Sequence, residues 1–377
     1  MLALLWLGCP HEPPPPDDPG RVLDGPLFGQ GLVVRPGELW ITAPGLDGSG
    51  AAYRFDGFGS EPAVVLDAGG PGELGPSLAV CPGLPGPALI VGAPLTGHNG
   101  GSWWIPSIAG DLVLGEQRFV EGLEDEGHAG TMVACGDIDA DGVSDVAVSA
   151  PDSDGIGLAR FGGTIEVFTE SAGAPDKVAH MDSTYDQTHL GFRTALVMGD
   201  DLDGDGIGDL VIGGFGADQV NVKYGPFVGT ATTNDAQTLT GLDDQGTGYS
   251  VDAGDVNGDG SIDLVVGAPF AFVDQGSVWV IPGPFDRVNA KIADLGHQIR
   301  GAGSSDQAGF SVGVVGDVDG DGGEDWLAGA PTSGGVGPEA GAAYRVLESG
   351  LELDNLDYAH AIVVGDAPWG RLGWSVG

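Results

Sequence analysis

Four short segments of the sequence carry acidic residues at one repeated spacing. In each, an oxygen-bearing side chain stands at positions 1, 3, 5 and 9, and a glycine stands at position 6. Carboxylates on alternate residues of a curled loop can converge on one point, which suits Ca²⁺ because this ion takes roughly six to eight oxygen ligands. The glycine permits a sharp turn without steric strain at Cβ. We therefore predict about four calcium sites in this chain.

Each predicted ligand set lies within one loop and adds the backbone carbonyl of position 7 to four side chains. The sets are Asp137, Asp139, Asp141, Val143 and Asp145; Asp201, Asp203, Asp205, Ile207 and Asp209; Asp255, Asn257, Asp259, Ser261 and Asp263; and Asp317, Asp319, Asp321, Gly323 and Asp325. Nothing near these loops in the sequence resembles a nucleophile or a general base. We therefore expect the metal to be structural.

Three other interpretations of the acidic loops are weaker. An EF-hand needs a bidentate glutamate at position 12 and flanking helices, whereas position 12 is apolar here: Val148, Ile212, Val266 and Ala328. Mg²⁺ is less suitable because a cage made only of carboxylates is not its usual site. A single acidic turn often binds nothing, but four such loops, each before the same kind of strand, favour metal binding.

The acidic loops belong to a repeat that recurs along most of the chain. After the loop comes a short apolar run such as 264–266, then a small-residue turn such as Gly267-Ala268-Pro269, then the alternating segment Gly276–Val280. Short apolar runs bounded by turn residues predict buried strands. Each unit offers four strands, A to D. Successive A strands begin near Gly29, Gly75, Gly130, Gly191, Gly248, Gly309 and Gly373.

The distance between these glycines, 46 to 64 residues, is typical of a propeller blade rather than of a solenoid repeat. We predict an all-β fold: a β-propeller of four-stranded blades over residues 21–377, with six complete blades and part of a seventh. The seventh repeat stops at Gly377, after its A strand, and Arg21–Gly25 resembles a D strand that could join it. We therefore expect the natural gene to continue for about 30–50 residues.

The order of these motifs resembles the FG-GAP repeat of integrin α-chain propellers. That repeat has a Phe-Gly-type start, an Asp-rich calcium loop and a Gly-Ala-Pro turn, and the resemblance covers roughly residues 21–377. Repeats one and two depart from it because they lack the acidic loop, and repeat four has Gly213-Gly214-Phe215 in place of the turn. The resemblance implies structural calcium in the A–B connections and ligands on the opposite face.

Residues 1–20 are expected to lie outside the propeller. Cys9 follows the apolar run Leu2–Gly8 and precedes a stretch rich in Pro and Asp, which resembles a bacterial lipoprotein signal with Cys9 as the lipidated residue. The proline-rich stretch would then be a semi-rigid tether. A clipped ordinary signal peptide is the alternative, because no basic residue precedes the apolar run. Both interpretations predict export to the cell surface, the outer membrane or the extracellular space.

The charge of the chain restricts its partners. There are 55 acidic against 13 basic residues, a net charge of −42, which repels nucleic acid and anionic lipid. We expect no nucleic acid, contact with a membrane only through a lipid anchor, and a monomer. Three cysteines are too few for a disulfide scaffold. Cys81 and Cys135 end equivalent strands of adjacent repeats, and we expect buried small residues there rather than a disulfide.

The B–C and D–A connections lie on the face opposite the acidic loops, and they vary in length and composition. Variable loops on a rigid scaffold are where recognition usually occurs. The candidate ligand residues combine aromatic with polar or cationic groups: His98, Asn99, Arg160, Phe161, Phe270 and Phe272. Loops that are merely tolerated surface length are the alternative. The tryptophans of the C strands, such as Trp279, are expected to pack between blades.

The sequence therefore predicts a calcium-stabilised extracellular binding or adhesion module for an unknown protein or glycan. The alternatives are the scaffold or a fragment of a secreted hydrolase, and a purely structural surface protein. Gly309–Gly313 and Gly373–Gly377 match the nucleophile-elbow pattern of hydrolases, but that motif needs a strand, a turn and a helix. Both matches fall on A strands here, so we do not expect an enzyme.

Overall fold

The structure, a computed structural model, describes most of the chain after residue 30. The described residues are 31–35, 38–43, 51–55, 63–67, 75–81, 88–95, 100–105, 108–109, 112–113, 118–121, 127–154, 159–171, 174–335, 337–347 and 351–377. The candidate residues Cys9, His98 and Asn99 lie outside them, as does the expected D strand Arg21–Gly25.

Six antiparallel sheets, each of four or five strands, follow one another along the chain, and each is one blade. Blade one contains, in A to D order, β1 (Leu32–Arg35), β2 (Glu38–Ala43), β3 (Ala51–Phe55) and β4 (Ala63–Asp67). Blade two contains β5 (Leu78–Cys81), β6 (Ala88–Gly92), β7 (Gly101–Ile105) and β10 (Arg118–Glu121), and the hairpin of β8 (Ile108–Ala109) and β9 (Leu112–Val113) precedes β10. Blade three contains β11 (Val133–Gly136), β12 (Asp145–Ala150), β13 (Thr164–Ser171) and β14 (Ala174–Asp182). Blade four contains β15 (Leu196–Met198), β16 (Leu210–Gly214), β17 (Gln219–Lys223) and β19 (Gln237–Thr240). Blade five contains β20 (Ser250–Gly254), β21 (Asp263–Ala268), β22 (Ser277–Ile281) and β24 (His297–Arg300). Blade six contains β25 (Ser311–Gly316), β26 (Asp325–Ala330), β27 (Ala342–Val346) and β28 (Ala361–Val364).

Two short strands tie neighbouring blades together. β18 (Gly229–Thr232), from the C–D connection of blade four, pairs in parallel with the outer strand β14 of blade three. β23 (Ala290–Lys291), from the same connection of blade five, pairs in parallel with β19 of blade four. Each covers an edge that would otherwise expose unpaired backbone groups.

Helical structure in the described residues is confined to single turns. None of these helices has the length and apolar character that crossing a membrane requires. They are α1 (Ala271–Asp274), α2 (Ile292–Leu295) and the 3₁₀ turns Phe215–Ala217, Thr233–Asp235 and Leu356–Tyr358.

The B strands β12, β21 and β26 are buried along their whole length. Their continuous apolar and small residues are typical of strands covered on both faces. Trp279 of β22 is 4% exposed and packs in a cluster that contains residues of blades four and five, which confirms its expected place between blades. Successive A strands contact one another, so the A strands surround the axis of the ring.

Neighbouring blades meet at a contact between two glycines. The first glycine of an A strand presents its carbonyl oxygen to a glycine in the B strand of the preceding blade, and a Cβ on that second glycine would overlap the oxygen. The pairs, B-strand glycine first, are Gly92–Gly130, Gly213–Gly248, Gly267–Gly309 and Gly329–Gly373. In three cases the two glycines touch across the interface of neighbouring blades, and in the fourth a glycine of blade six touches the segment after that blade.

A hydroxyl group reaches the same carbonyl oxygen in five of the interfaces. It comes from the A strand or its start in blades two, five and six, where Ser77, Ser250 and Ser311 donate to Gly130, Gly309 and Gly373 at 3.4, 2.9 and 3.0 Å. In blades one and three the donor comes from the B strand instead. Thr42 donates to Gly75, and Ser149 donates to Gly191 at 2.7 Å.

The described residues form six blades and show no strand of the expected partial seventh blade, whose predicted D strand, Arg21–Gly25, lies outside them. Residues 373–377 repeat the start of an A strand but form no strand. They lie between blades six and one: a Cβ on Gly313 would be 3.1 Å from the Val376 carbonyl oxygen, and one on Gly377 would be 3.8 Å from that of Leu32.

The expectation that Cys81 and Cys135 are unpaired was also wrong. The two residues form a disulfide bond between β5 and β11, with their Cα atoms 5.4 Å apart. They end the A strands of adjacent blades, and these strands contact each other, which brings the two side chains within bonding distance. The bond joins blades two and three.

The contact between glycines can be tested at the interface of blades five and six. We expect Gly267→Ala to lower the free energy of unfolding by about 2–3 kcal/mol, because the added methyl overlaps the Gly309 carbonyl oxygen. Gly334→Ala is the matched control, since a Cβ there meets no atom within 4 Å, and it should stay within about 1 kcal/mol of wild type. Denaturant unfolding of both variants measures the difference, and equal stabilities would contradict the steric account.

Candidate functional site

The four acidic loops lie in the A–B connections of blades three to six, as the sequence predicts. They join β11 to β12, β15 to β16, β20 to β21 and β25 to β26. The ninth residue of each loop lies in or beside the B strand that follows, so position 12 falls within a strand and the EF-hand is excluded. All four loops therefore lie at the same end of the A strands.

One hydrogen-bond pattern recurs in all four loops. The amide of position 6 donates to the carboxylate of position 1 at 2.8 to 3.1 Å, and the amide of position 7 donates to that of position 5 at 2.8 to 3.0 Å. The glycine at position 6 has φ between +84° and +102°, a region that disfavours other residues. The spacing thus produces a loop that turns its acidic side chains inward.

Three carboxylates in each of loops one, two and four converge. Those of positions 1, 3 and 9 offer oxygen atoms within 4.8 Å of one another. In the first loop these are Asp137, Asp139 and Asp145. Carboxylate oxygens at this separation suit a hard divalent cation such as Ca²⁺.

The first loop also contains a carboxylate oxygen without a donor. Asp137 Oδ1 is buried and accepts no hydrogen bond from any described group. A buried anionic oxygen without a partner costs free energy. A cation between the carboxylates would satisfy this oxygen, so the donor set of the first loop fits a metal ion.

Burial raises the pKa of the ninth residue in three loops. The pKa values of Asp145, Asp209 and Asp263 rise to about 6, with desolvation as the largest cause. The carboxylates of the same loop act in the same direction because like charges resist ionisation. In the absence of a cation, these positions therefore hold protons more tightly than ordinary aspartates.

The second and third loops differ from the first in their partners. Arg287, from the C–D connection of blade five, donates to Asp203, and also to Asp205 at 2.7 Å. Its guanidinium lies 4.7 Å from the ring centroid of Tyr224. In the third loop Asn257 replaces an acid, and its Nδ2 donates to Asp263 at 3.2 Å. The second loop thus already holds a cation from its own chain.

The opposite face carries a cavity of about 340 Å³, here called the axial pocket. Its walls come from the starts of several A strands and from connections after B strands. They include Pro76, Leu95, Met132, Arg193, Phe310 and Trp374. Because these residues come from blades two, three, four and six and from the segment after blade six, the pocket lies at the centre of the ring.

Arg193 lies among aromatic rings in the wall of the axial pocket. Its guanidinium carbon is 4.7 Å from the ring centroid of Trp374, 5.0 Å from that of Phe310 and 5.4 Å from that of Phe192. The same guanidinium bonds to Tyr249, but Arg193 Nε is buried and has no acceptor among the described groups. A positive charge is thereby fixed on one side of the pocket.

His128 and Asp152 form another part of the wall, and His189 contacts Asp152 from outside the lining. His128 Nδ1 lies 2.6 Å from one oxygen of Asp152, and His189 Nδ1 lies 3.2 Å from the other. The hydrogen bonds from His189 and His128 lower the pKa of Asp152. The structure thus places a carboxylate that accepts hydrogen bonds from two histidines beside the pocket.

The candidate ligand residues that the structure describes lie around this pocket, not in it. Phe161 is 45% exposed and stacks on His189 with the centroids 6.1 Å apart. Arg160 is exposed, and Phe270 meets Tyr249 edge to face at 5.6 Å. Phe272 lies farther out, where Arg300 covers its ring at 4.2 Å.

Sequence reasoning missed the central residues of the pocket, although a signal was present. The residue after the first glycine of repeats four to six and of the final segment is aromatic: Phe192, Tyr249, Phe310 and Trp374. The next residue is serine in three of these cases and Arg193 in the fourth. Arginine in place of serine therefore distinguishes repeat four from the other three cases in the sequence.

Comparison with known proteins agrees with the motif order of the sequence. A family model described as FG-GAP repeat matches residues 247–281, which span the third acidic loop and the turn after β21. The chain is therefore a six-bladed β-propeller that contains an FG-GAP repeat, here called the FG-GAP propeller, and it is similar to integrin α chains. Integrin alpha pat-2 of Caenorhabditis elegans is 29% identical over 273 residues, 65% of this propeller and 21% of that protein.

A second relative of the FG-GAP propeller is an enzyme. Phosphatidylinositol-glycan-specific phospholipase D of Mus musculus is 32% identical over 141 residues, 33% of this chain and 16% of that protein. The matches thus span about a fifth or less of these relatives. A solved structure, streptogramin B lyase, is similar in fold alone, with a TM-score of 0.51 and 10% identity over 89% of this chain and 82% of that one.

The raised pKa values predict a pH dependence for the FG-GAP propeller stripped of divalent ions. A carboxyl group whose pKa is higher in the folded chain stabilises that state below its unfolded pKa, about 4, and loses this contribution as the pH rises through about 6. We therefore expect the free energy of unfolding to fall between pH 4 and pH 6.5. Urea unfolding across this range checks it.

A local control separates this effect from repulsion over the whole acidic surface. Asp263→Asn removes one of the three buried groups and should flatten part of the decline. Asp243→Asn changes an exposed loop carboxylate and should leave the slope as it is. A metal-free protein that became more stable from pH 4 to pH 6.5 would contradict the assignment.

Proposed function

We propose that this FG-GAP propeller is a calcium-stabilised, exported binding or adhesion module. The observation that carries the proposal is the recurrence of one loop geometry at one end of four successive blades, with the carboxylates of three loops converged. Backbone amides within each loop hold the carboxylates of positions 1 and 5, and a shared cation would bind the carboxylate oxygens that converge. The calcium, when bound, would supply positive charge that neutralises each carboxylate group.

The chain's own residues would hold about four calcium ions at the four loops. Positions 1, 3, 5 and 9 would bind through side chains and position 7 through its backbone carbonyl. Because each loop connects an A strand at the axis to the B strand beside it, binding would fix the two strands relative to each other. The proposed role of the metal is therefore structural.

Export is supported by the covalent chemistry of the chain. The disulfide between Cys81 and Cys135 requires an oxidising compartment, and reducing cytosol would oppose it. The net charge of −42 suits a soluble surface in a calcium-rich medium. We propose a location at the cell surface or outside the cell, with Cys9 as a possible site of lipid attachment.

The proposed partner is a protein or a glycan, bound by a single copy of the chain at the face away from the acidic loops. The B–C and D–A connections that form this face carry exposed Phe161, Leu95 and Trp369, each about 45% exposed. Aromatic and aliphatic groups on rigid loops are typical of recognition surfaces. A purely structural surface protein would not require them.

A hydrolase scaffold is the rival function, and the relative named as a phospholipase D is the observation that favours it. The match covers 16% of that enzyme, so it supports a shared propeller and not a shared activity. The elbow-like Ser311 is buried and donates to the Gly373 carbonyl at 3.0 Å, which leaves it unsuited to nucleophilic attack. We therefore retain binding as the proposal.

Calcium binding can be measured directly. We expect titration calorimetry to give about four sites per chain and chelation to lower the melting temperature, because a ligand of the native state stabilises that state. Asp317→Ala should remove one site and leave the others. The second loop should be the weakest site, because Arg287 already contacts Asp203 and Asp205.

Two variants serve as controls for the calcium measurement. Arg287→Gln should tighten the weakest site several-fold, since it removes the competing cation. Asp243→Ala deletes an exposed carboxylate from a D–A connection and should change neither stoichiometry nor melting. An intact protein that shows no calcium heat and no chelator shift would end the calcium proposal.

The binding role can be tested with protein and glycan arrays and then with a paired variant. We expect a specific ligand, and we expect Arg160→Ala with Phe161→Ala to weaken its binding at least tenfold without changing the calcium-dependent melt. Loss of binding that follows Asp317→Ala in a folded protein would place the ligand on the calcium face instead. A hydrolase screen on the same samples tests the rival function.

A further inference from the structure

We propose that the axial pocket binds a carboxylate group and that Arg193 is its recognition residue. This inference rests on the proposed binding function and names the chemistry that the central part of the binding face would recognise. It concerns a site distinct from the outer residues Arg160 and Phe161.

The first step is the hydrogen-bonding capacity of Arg193. The rings of Trp374 and Phe310 lie with their centroids 4.7 and 5.0 Å from the guanidinium carbon and stabilise its charge. The faces of these rings cannot accept hydrogen bonds from the N–H groups that lie in the plane of the guanidinium. Arg193 Nε is buried and has no acceptor within the described part of the chain. A carboxylate satisfies such in-plane donors with two parallel bonds.

The second step is the shape and polarity of the pocket. Its volume of about 340 Å³ lies at the lower end of the range for small-ligand pockets and also suits one side chain. Pro76, Pro94 and Met132 give apolar walls, and Leu95 is exposed at 47%. An apolar surround strengthens an ion pair relative to water. A carboxylate on a small apolar body therefore matches both parts of the lining.

The third step concerns the acidic group already in the wall. Asp152 would repel a second carboxylate if it were free. His128 and His189 contact its two oxygens at 2.6 and 3.2 Å, and these contacts lower the pKa of Asp152 and engage its charge. The remaining charged lining residue is Arg193, which is positive. The local charge therefore favours an anion in spite of the acidic chain.

The fourth step excludes a cation as the ligand. Four aromatic rings, those of Phe192, Tyr249, Phe310 and Trp374, surround a cation, but Arg193 from the same chain is that cation. A second positive group would have to displace or oppose it. The arginine that stands where other repeats have serine thus changes an aromatic cage into an anion site.

The test uses benzoate as the probe and benzamide as its neutral analogue, with the full chain in saturating calcium. We expect benzoate to bind by titration calorimetry and to raise the melting temperature, and benzamide to do neither. Arg193→Gln should weaken benzoate binding at least tenfold. Lys291→Gln removes an exposed positive charge outside the pocket and should leave the affinity within twofold.

Further measurements identify the source of the carboxylate and keep the test valid if a variant fails to fold. N-acetyl-aspartate amide presents a protein side chain, so binding of both probes supports a protein partner, and binding of benzoate alone supports a free small acid. Crystals soaked with 4-bromobenzoate should show bromine in the pocket and the carboxylate on Arg193, a result that needs no variant. Equal binding of benzoate and benzamide, full binding by folded Arg193→Gln, or bromine only at other positions would overturn the inference.

The same samples separate this inference from the proposed function. A calcium-dependent melt and array binding that persist while benzoate binding is absent would refute only the carboxylate site. Loss of the calcium response and of array binding would refute the proposed function, whatever benzoate does.

Discussion

The carbonyl oxygen of the glycine that begins each A strand fixes the distance between blades. It lies against the B strand of the preceding blade so closely that a glycine there is required at four interfaces. In blades one and three the B strand has Thr42 or Ser149 instead, and the hydroxyl group donates to the carbonyl. Where the B strand has a glycine, the hydroxyl group comes in three cases from the A strand of the same blade, or from its start, instead. Everything else in the ring depends on this contact, because it sets where the A strands lie around the axis.

Each A strand separates two kinds of surface. At one end the chain enters an acidic loop in blades three to six, and at the other end stand the aromatic residues that follow the first glycine. A short strand such as β15, with three residues, keeps these ends close, so the acidic rim and the axial pocket are two faces of one thin ring. Two of the 13 basic residues of the chain, Arg287 and Arg193, lie at the acidic rim and at the axial pocket.

The acidic loops could be predicted from the sequence because the acidic residues of each loop are close together in the chain. The spacing of Asp137, Asp139 and Asp145 determines the turn and the convergence without help from other blades. Blade boundaries were predictable for the same reason, since glycines and apolar runs recur at short range. The seventh blade was expected from the motif at Gly373, but a strand needs a partner that the motif does not supply.

Features that depend on distant parts of the chain were missed. The pairing of Cys81 with Cys135 requires the lateral contact of two A strands that are 54 residues apart. The role of Arg193 depends on Phe310 and Trp374, which reach it only when the ring has formed. Periodicity describes each blade but not which side chains of different blades meet at the centre.

Arg193 also removes the rotational equivalence of the blades. A molecule bound at the centre of a ring of similar repeats can take several orientations, related by rotation about the axis, that differ little in energy. The guanidinium of Arg193 in blade four, with Asp152 of blade three beside it, makes one of these orientations different from the others. Any molecule that enters along the axis is therefore oriented about that axis as well as held on it.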